Sequence, residues 1–415
     1  MKRISTYMPN DDYQYRMRMQ EWKMGDLQAK IGEQTRVREL RDDPLAAAHS
    51  TRFQSKITRL TRFSDNIETV QSDHRIAEGY ISSANNIILR VRELAIQGAN
   101  DTYSKQDKAY MAEEVDQLLN ELVEISNAEN GNGTVIFGGD KNKGLAFRAE
   151  EGMVPGASGR RITSVEYLGT INRQLAEVSN KSYVNIDFPG NRVFWAEQQQ
   201  IFSSADAGGY RVLKDSSIRI DGEDIPLNAG DNIHSIAAKI NKADISVKAG
   251  IDPVTNSLIL KTTTPHQLWL EDGKGGSILK DLGVVSPNAG GPPSNIHMDA
   301  RVSGGSLFDM VIRLRDDLYA GNTIDIGGKA LKGIDMAHNN MLSELSRLGA
   351  EDERLQTVYE RIAYEIPNIQ QMNSNAVDLD FAEAITELKM MERTQQATLQ
   401  TAAKVLKPTL LDYLR

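Results

Sequence analysis

Apolar residues recur at steps of four and three along the last forty residues of the chain, 375–415. This row consists of Phe381, Ile385, Leu388, Leu399, Ala402 and Leu406, with Glu392 and Gln395 filling a gap in it. A row with this spacing predicts an amphipathic helix that buries one stripe against other helices. Asp378 or Asp380 is the expected N-cap, and Pro408 is the expected stop. Taken alone, the pattern is equally typical of the last helix of an ordinary bundle.

A second, weaker heptad occupies residues 1–41. Its members are Met8, Tyr15, Trp22 and Ala29, with Met19 between them. The stretch holds nine Lys or Arg against six Asp or Glu. The acidic residues interrupt any continuous basic face, which argues against a targeting helix or a membrane-surface helix. We therefore expect a helix that packs against another helix.

The longest predicted helix begins at Asp43-Pro44, because an N-cap aspartate followed by a proline at the first helical position is a strong start signal. No breaker stronger than Gly79 occurs before about residue 97. The helix would be ~80 Å long at ~1.5 Å per residue. That length exceeds what a compact domain needs and predicts an elongated molecule or a coiled coil. Ser104 and Asp107 then form a capping box for a further helix.

The middle of the chain, residues 150–303, is rich in glycine, proline and short β-prone runs. A compact ββαββ module is predicted there. Its parts are strands at 218–220 and 225–227, a helix at 232–241 capped by Asp231, and strands at 245–251 and 258–262. After a glycine-rich turn, Thr134–Gly139 is expected to form a short strand and a second turn, and a further strand is expected at Tyr183–Phe188.

Helical patterns return after residue 303. Ser306 and Asp309 form a capping box for one helix, and a long helix follows from about Lys329, with a break or kink at Pro367. The prediction is an α+β fold, with an elongated helical rod built from both termini and a β-rich middle insertion. The predicted domains are a terminal assembly helix (1–42, disordered in the monomer), two halves of a long-helix core domain (43–158 and 304–374), the β-rich middle (159–303) and a C-terminal assembly helix (375–415).

Composition narrows the classes of function. The net charge of −9 gives no electrostatic case for binding nucleic acid or an anionic membrane. No apolar run is long enough to span a bilayer, and the N-terminus lacks the apolar core of a secretory signal. The chain has no cysteine, which excludes disulfides, thiolate metal sites and a cysteine nucleophile.

No pattern of catalytic or cofactor-binding residues is found. The six histidines stand singly, and His74 lies on the apolar stripe of the long helix, where we expect a packed side chain. The glycines of Asn130–Gly139 lack the Gly-Lys-Ser/Thr of a phosphate loop. Residues 140–144 match a calcium loop poorly, because the glycine comes one position early. We predict a protein that is not an enzyme and that has no cofactor or metal site.

Five segments and the module resemble one family. They are Asp42–Ala47 (Asp-Asp-Pro-Leu-Ala-Ala), the turn Asn130–Gly139, Gly349–Leu355, Asp380–Leu388 (Asp-Phe-Ala-Glu-Ala-Ile-Thr-Glu-Leu), the ending Leu410–Leu414, and the module residues 218–222 and 236–241. In this order and at these spacings they resemble the flagellin superfamily and, within it, its hook–filament junction branch, the FlgL type of hook-associated protein. The resemblance covers about 1–150 and 303–415, and the Trp195–Tyr210 stretch matches nothing in it.

The resemblance implies a structural adaptor of the bacterial flagellum that joins the hook to the flagellin filament. It implies export by the flagellar type III system and localisation in an external or periplasmic flagellum. The implied partners are the preceding hook-associated protein, flagellin, further copies in a junction ring and a cytoplasmic chaperone on the C-terminal helix. Neither nucleic acid nor a membrane is an expected partner. The expected assembly and chaperone interface consists of Met8, Tyr15, Met19, Trp22, Phe381, Ile385, Leu388, Leu399, Leu406, Leu410 and Leu411.

Two alternatives stay open at this point. The chain is also compatible with flagellin itself, the filament subunit. Pro44 and the Gly131–Gly139 turn favour the junction branch, whereas Gly349–Leu355 is neutral between the two. An alternative from a different class is a helical coiled-coil adhesin or secreted effector.

Overall fold

The computed structural model of the chain describes residues 8–141, 143–172, 174–286 and 290–405. The chain divides into two compact units. The terminal unit combines the residues before 66 with those after 357, and the central unit is formed by residues 66–357.

Helices dominate both ends of the chain. Their bounds are α1 Met8–Glu33, α2 Pro44–Gly98, α3 Lys105–Ser126, α4 Gly190–Val193, α5 Ile233–Lys242, α6 Ile278–Asp281, α7 Leu307–Ala320, α8 Thr323–Asp325, α9 Leu331–Val377 and α10 Phe381–Val405, with a π-helical turn at Ile326–Ala330 between α8 and α9. The predicted long helix is confirmed: α2 has 55 residues. Its start is confirmed as well, because the Ala46 N–H donates to Asp43 Oδ1 at 3.0 Å.

Most predicted helix starts are confirmed by their hydrogen bonds. Both capping boxes are complete, at Ser104/Asp107 and at Ser306/Asp309. Asp380 is the N-cap of α10, since its Oδ1 accepts from the N–H groups of Ala382 and Glu383.

Two details of the predicted helices were wrong. The cap of α5 is Asn232, whose side chain accepts from the Ser235 N–H, whereas Asp231 accepts from Lys239 and from the Asn228 N–H. Of the break or kink predicted at Pro367, the break is absent, because α9 continues as one helix through the proline to Val377, and the kink stays a prediction.

The strands lie in the middle of the chain. Their bounds are β1 Phe147–Met153, β2 Arg160–Tyr167, β3 Leu175–Ser179, β4 Ser182–Asn185, β5 Gln200–Phe202, β6 Ser216–Ile220, β7 Glu223–Leu227, β8 Val247–Ile251, β9 Leu258–Thr262, β10 Leu270–Asp272 and β11 Arg301–Ser303. They form four antiparallel sheets with the orders β1-β2, β3-β4, β10-β6-β7 and β11-β5-β9-β8.

The elements of the ββαββ module are confirmed: β6, β7, α5, β8 and β9 follow in the predicted order. Its two hairpins, however, belong to different sheets, each joined by strands that lie outside the module. The predicted strand at Thr134–Gly139 was wrong. Val135 makes only an isolated bridge to Glu129, and the segment then turns so that Phe137 is buried. The strand expected at Tyr183–Phe188 is shorter and ends at Asn185.

The central unit contains two hydrophobic clusters. The first packs α2, α3, α7 and the start of α9 around four phenylalanines, Phe137, Phe147, Phe194 and Phe308. The ring centroids of their contacting pairs lie 5.0–5.7 Å apart, mostly in edge-to-face or tilted arrangements. The second fills the β-rich middle between α5 and the larger sheets. The predicted α+β arrangement, with helical ends and a β-rich middle, is therefore confirmed. The finer domain boundaries drawn from the sequence stay predictions.

A charged side chain is fully buried in the first cluster. Arg315 of α7 has no solvent exposure, and its Nη1 donates to Asp116 Oδ1 of α3 and to the Ile162 carbonyl of β2, both at 2.8 Å. Asp116 is only 2% exposed. These bonds thus join three elements, and each charge has a further ionic neighbour: Asp316 lies 2.8 Å from Arg315, and Arg161 lies 3.4 Å from Asp116.

His74 is packed, as its position on the apolar stripe predicted. It is 0% exposed, its ring lies edge-on to Phe188 with centroids 5.2 Å apart, and its Nε2 is 3.4 Å from the Asn185 carbonyl.

Candidate assembly interface

The two terminal helices, α1 and α10, are fastened to each other at one end. The Arg36 N–H donates to the Val377 carbonyl at 2.7 Å, and the Leu379 N–H donates to the Gln34 carbonyl at 3.1 Å. These bonds flank an antiparallel bridge between Thr35 and Asp378. The backbone therefore fixes which part of α1 lies beside which part of α10.

The Arg36 side chain connects these backbone-bonded segments to the start of α2. Its Nη2 donates to the Ala376 carbonyl at 2.8 Å, and its Nη1 lies 3.4 Å from Asp43 Oδ2. The hydrogen bond from the Ala46 N–H, together with the charge of Arg36, lowers the pKa of Asp43. Asp43 therefore stays ionised as the cap of α2 and as a partner of the arginine.

From the fastened end, α1 and α10 pack through one row of side chains each. These inner rows are buried or half-buried and consist of Met17, Gln20, Met24, Leu27 and Ile31 on α1 and Ala384, Leu388, Met391, Gln395 and Thr398 on α10. Both rows advance by alternating steps of three and four, which is the spacing of a two-stranded coiled coil. The inner rows are apolar except at Gln20, Gln395 and Thr398.

Six of the eleven residues predicted for the interface are exposed to solvent and do not belong to the inner rows. The exposed fractions are 58%, 40% and 57% for Tyr15, Met19 and Trp22. They are 46%, 42% and 47% for Phe381, Ile385 and Leu399. We call these six residues the outer row. Clustered large apolar side chains on a surface mark a site of interaction with another molecule.

The remaining predicted residues divide into two groups. Leu388 is half-buried in the inner row. Met8 lies in α1, but its side chain is not among those described, and Leu406, Leu410 and Leu411 lie outside the described residues, as does the stop signal at Pro408.

Sequence reasoning missed most of the inner row. The signal was present: Met17, Met24 and Ile31 step by seven, and Gln20 and Leu27 step by seven between them. Because Gln20 is polar, this heptad gives a weaker apolar signal than the neighbouring one, which contains the aromatic residues Tyr15 and Trp22.

A groove of about 320 Å³ opens beside the polar pair of the inner rows. It is lined by Gln20, Lys23, Met24, Glu387, Met390, Met391, Thr394 and Gln395. The Oε1 atom of Gln20 is buried there, and no described residue donates a hydrogen bond to it. A buried acceptor without a donor costs free energy, and buried oxygens of the central unit, such as Asn191 Oδ1, are in the same condition.

The central unit holds a separate, polar cavity of about 570 Å³, lined by residues that include Asp187, Asp221, Asn191, His266 and Arg347. His266 Nε2 lies 2.8 Å from Asp221 Oδ2, and burial raises the pKa of Asp187 to about 6. Within the described ranges, no group of three or more His, Asp or Glu side chains is placed to hold a metal ion, and no helix is long and apolar enough to cross a membrane.

Known proteins with similar sequences are flagellar. The chain is 24% identical over 379 residues to Flagellin A of Vibrio anguillarum, covering 89% of this chain and 87% of that protein. It is 27% identical over 252 residues to the flagellar filament 33 kDa core protein of Treponema phagedenis, covering 57% of this chain and 84% of that protein.

Among solved structures, similar folds include the flagellar junction protein FlgL of Legionella pneumophila. That comparison gives a TM-score of 0.45 at 18% identity, and covers 80% of this chain and all of that chain.

Two family models match the helical ends of the chain. Residues 4–142 match the bacterial flagellin N-terminal helical region, and residues 331–414 match the bacterial flagellin C-terminal helical region. Together they cover just over half of the chain and contain both terminal helices. The chain belongs to the flagellin superfamily, a family of structural proteins of the bacterial flagellum.

Proposed function

We propose that this protein is a structural adaptor that joins the flagellar hook to the flagellin filament and assembles through α1 and α10. The observation that carries the proposal is the exposed outer row. Exposed apolar side chains are unfavourable in a single copy and become favourable once another helix covers them.

The proposal includes folding that is coupled to assembly. The contact between α1 and α10 uses small or polar residues at several layers, among them Ala384, Gln395 and Thr398. Such a contact buries little apolar area, so ordering of the two helices depends on the additional burial that neighbours provide. Before export through the flagellar type III system, a cytoplasmic chaperone would cover Phe381, Ile385 and Leu399 and so prevent aggregation.

The choice of the junction rests on two sequence features with a structural basis. The Asp43-Pro44 start caps α2, and the Asn130–Gly139 turn requires glycine at Gly138 and Gly139. Gly139 has a φ of +66°, and a Cβ atom there would lie 2.3 Å from the Thr170 carbonyl oxygen. These are the features that resemble the junction branch. The proposed partners are the preceding hook-associated protein, flagellin and further copies in a junction ring.

The second candidate is flagellin, the filament subunit. The similarity to Flagellin A of Vibrio anguillarum, which extends over 89% of this chain, favours it. Behaviour in solution distinguishes the two candidates. A junction protein should stay monomeric, with protease-sensitive ends, under conditions that extend flagellin filaments. Spontaneous growth of long filaments from the purified chain would favour flagellin.

Deletion of the gene tests the proposal in the cell. We expect hooks without filaments, with flagellin shed into the medium, and restoration of filaments when the intact gene is returned. Cells that lack the gene yet carry normal flagella would contradict the junction role.

A further inference from the structure

Methionines are concentrated where α1 meets α10. Met17, Met19 and Met24 lie on α1, and Met390 and Met391 are adjacent on α10. Met24, Met390 and Met391 line the groove of about 320 Å³. Methionine fits irregular apolar contacts, because its side chain is unbranched and its sulfur atom is polarisable. The same sulfur atom can be oxidised, so this contact contains a chemical group that an oxidant changes.

Met24 and Met391 lie at similar heights in the helix pair, and we call these two residues the methionine layer. A backbone hydrogen bond joins Gln34 to Leu379 at the fastened end. Met24 is ten residues from Gln34, and Met391 is twelve residues from Leu379. At ~1.5 Å per residue, these separations correspond to ~15 and ~18 Å along the helices. Both side chains are half-buried, so each is partly covered by the contact between the helices.

Beyond the methionine layer, away from the fastened end, the inner rows become mostly polar. They continue there with Gln20, Gln395 and Thr398, and Met17 is the one apolar residue among them. Polar side chains at such positions contribute little apolar burial. The pairing of the distal parts of α1 and α10 therefore depends strongly on the methionine layer.

The groove brings solvent to these side chains. Met390 is 65% exposed, and Met24 and Met391 form part of the groove wall although they are half-buried. A water molecule occupies about 30 Å³ in the liquid, and hydrogen peroxide has only one more oxygen atom, so the groove is large enough to admit it. In the core of the central unit, by contrast, Met310 and Met341 are 1% and 0% exposed.

We propose that the methionine layer, together with Met390, is an oxidation site at which a hydroperoxide such as hydrogen peroxide opens the contact between α1 and α10. The thioether sulfur attacks one peroxide oxygen with a lone pair. An S–O bond forms as the O–O bond breaks, so the sulfur is oxidised and the peroxide is reduced. The proton of the transferred oxygen passes to the other oxygen, which leaves as water. The site is independent of the proposed function, since it needs only the two helices of one chain.

The product, methionine sulfoxide, is polar, and a polar group in an apolar contact costs free energy that the thioether does not cost. The distal parts of α1 and α10 should then separate, while the backbone bond between Gln34 and Leu379 keeps the fastened end together. Oxidation thus shifts an equilibrium between the paired and the opened helices towards the opened form.

Peroxide treatment of the purified full-length chain tests the site. Mass spectrometry of peptides would measure sulfoxide at each methionine, and trypsin cleavage within α1 would be timed on the same samples. We expect Met24 and Met391 to be oxidised well before Met310 and Met341. Cleavage within α1 should then be at least about threefold faster, because cleavage follows the population of the opened form. Methionine sulfoxide reductases should restore the slower cleavage.

Leucine variants separate this site from other methionines. The triple variant Met24→Leu, Met390→Leu and Met391→Leu keeps a similar apolar volume but has no sulfur to oxidise at the groove. Peroxide should therefore leave its cleavage within α1 unchanged. The matched control is Met153→Leu with Met298→Leu, which removes methionines of the central unit that are 76% and 95% exposed. This control should respond to peroxide as the parent chain does.

A polar substitution tests the same step without an oxidant. Met24→Gln places a polar side chain of similar length in the methionine layer, and should speed cleavage within α1 in the absence of peroxide. Equal responses of the triple leucine variant and the parent chain to peroxide would overturn the inference. Unchanged cleavage after full conversion of Met24 and Met391 to sulfoxide would overturn it as well, as would resistance of both to peroxide equal to that of Met310.

Discussion

The terminal helix pair and the core of the central unit differ in how completely their side chains are buried. In the core, the buried Arg315 and Asp116 form an ion pair across α7 and α3, and each has a second ionic neighbour, Asp316 for Arg315 and Arg161 for Asp116. In the terminal pair, large apolar side chains such as Trp22 and Phe381 remain exposed. A covered apolar core is typical of a part that folds alone, whereas exposed apolar side chains are typical of a surface that another molecule covers.

The largest effect is expected where the core is complete. Arg315→Met removes the 2.8 Å partner of the buried Asp116 and leaves it only Arg161, whose Nε lies 3.4 Å from Asp116 Oδ2. The substitution should lower the free energy of unfolding by about 3 kcal/mol, at the low end of the range for breaking a buried ion pair. The measurement is urea unfolding followed by circular dichroism. Arg313→Met, at an exposed position of the same helix, is the control and should change stability by less than ~0.5 kcal/mol. A double variant that also carries Asp116→Leu should recover much of the loss.

A smaller effect is expected at the turn that follows α3. Gly139→Ala places a Cβ in a left-handed conformation and against the Thr170 carbonyl, and should cost about 1–3 kcal/mol. Gly131→Ala is the matched control in the same turn, because a Cβ there has no atom within 4 Å. Equal unfolding midpoints for the two variants would show that the turn tolerates a side chain.

The contrast between the two regions is sharpest at Leu27, which is 8% exposed in the inner row. Leu27→Ala should change the global free energy of unfolding by less than ~1 kcal/mol, although core Leu→Ala changes usually cost about 2–5 kcal/mol. Trypsin should nevertheless cleave α1 faster than in the parent chain. Gln28→Ala, at an exposed neighbouring position, is the control. If Leu27→Ala lowered the global free energy of unfolding by as much as core Leu→Ala changes do, the terminal pair would belong to the cooperative core.

The smallest effect concerns pH. Burial raises the pKa of Asp187 to about 6, against an ordinary value of 3.8. Between these two values the folded state binds more protons than the unfolded state, so the contribution of Asp187 to stability falls as the pH rises from about 4 to about 6. Asp187→Asn should remove that part of the pH dependence in urea unfolding, whereas Asp206→Asn, at a carboxylate outside this cavity, should keep it. An unchanged slope in Asp187→Asn would contradict the assignment.

Local signals in the sequence predicted the elements well, because caps act over three or four residues. Asp43 and the two capping boxes are examples. The sequence did not predict which sheet each hairpin of the module joins, since that depends on strands far away in the chain. It also could not pair Arg315 with Asp116, which are 199 residues apart.

At the terminal helices, the sequence predicted an interaction surface but not its division into two rows. Apolar residues with heptad spacing occur on two faces of α1, so periodicity alone cannot say which face meets α10. The backbone bonds at Arg36 and Leu379 decide this, and they follow from the fold rather than from the heptads.

Hydrogen exchange in α10 tests most directly the claim that the terminal pair is completed by other copies. The amides of Phe381–Val405 would be compared between the purified chain and the same chain in isolated flagella. We expect these amides to exchange rapidly in the purified chain and to become strongly protected in flagella, while those of α3 are protected in both. Equal and strong protection of α10 in the purified chain and in flagella would contradict the account.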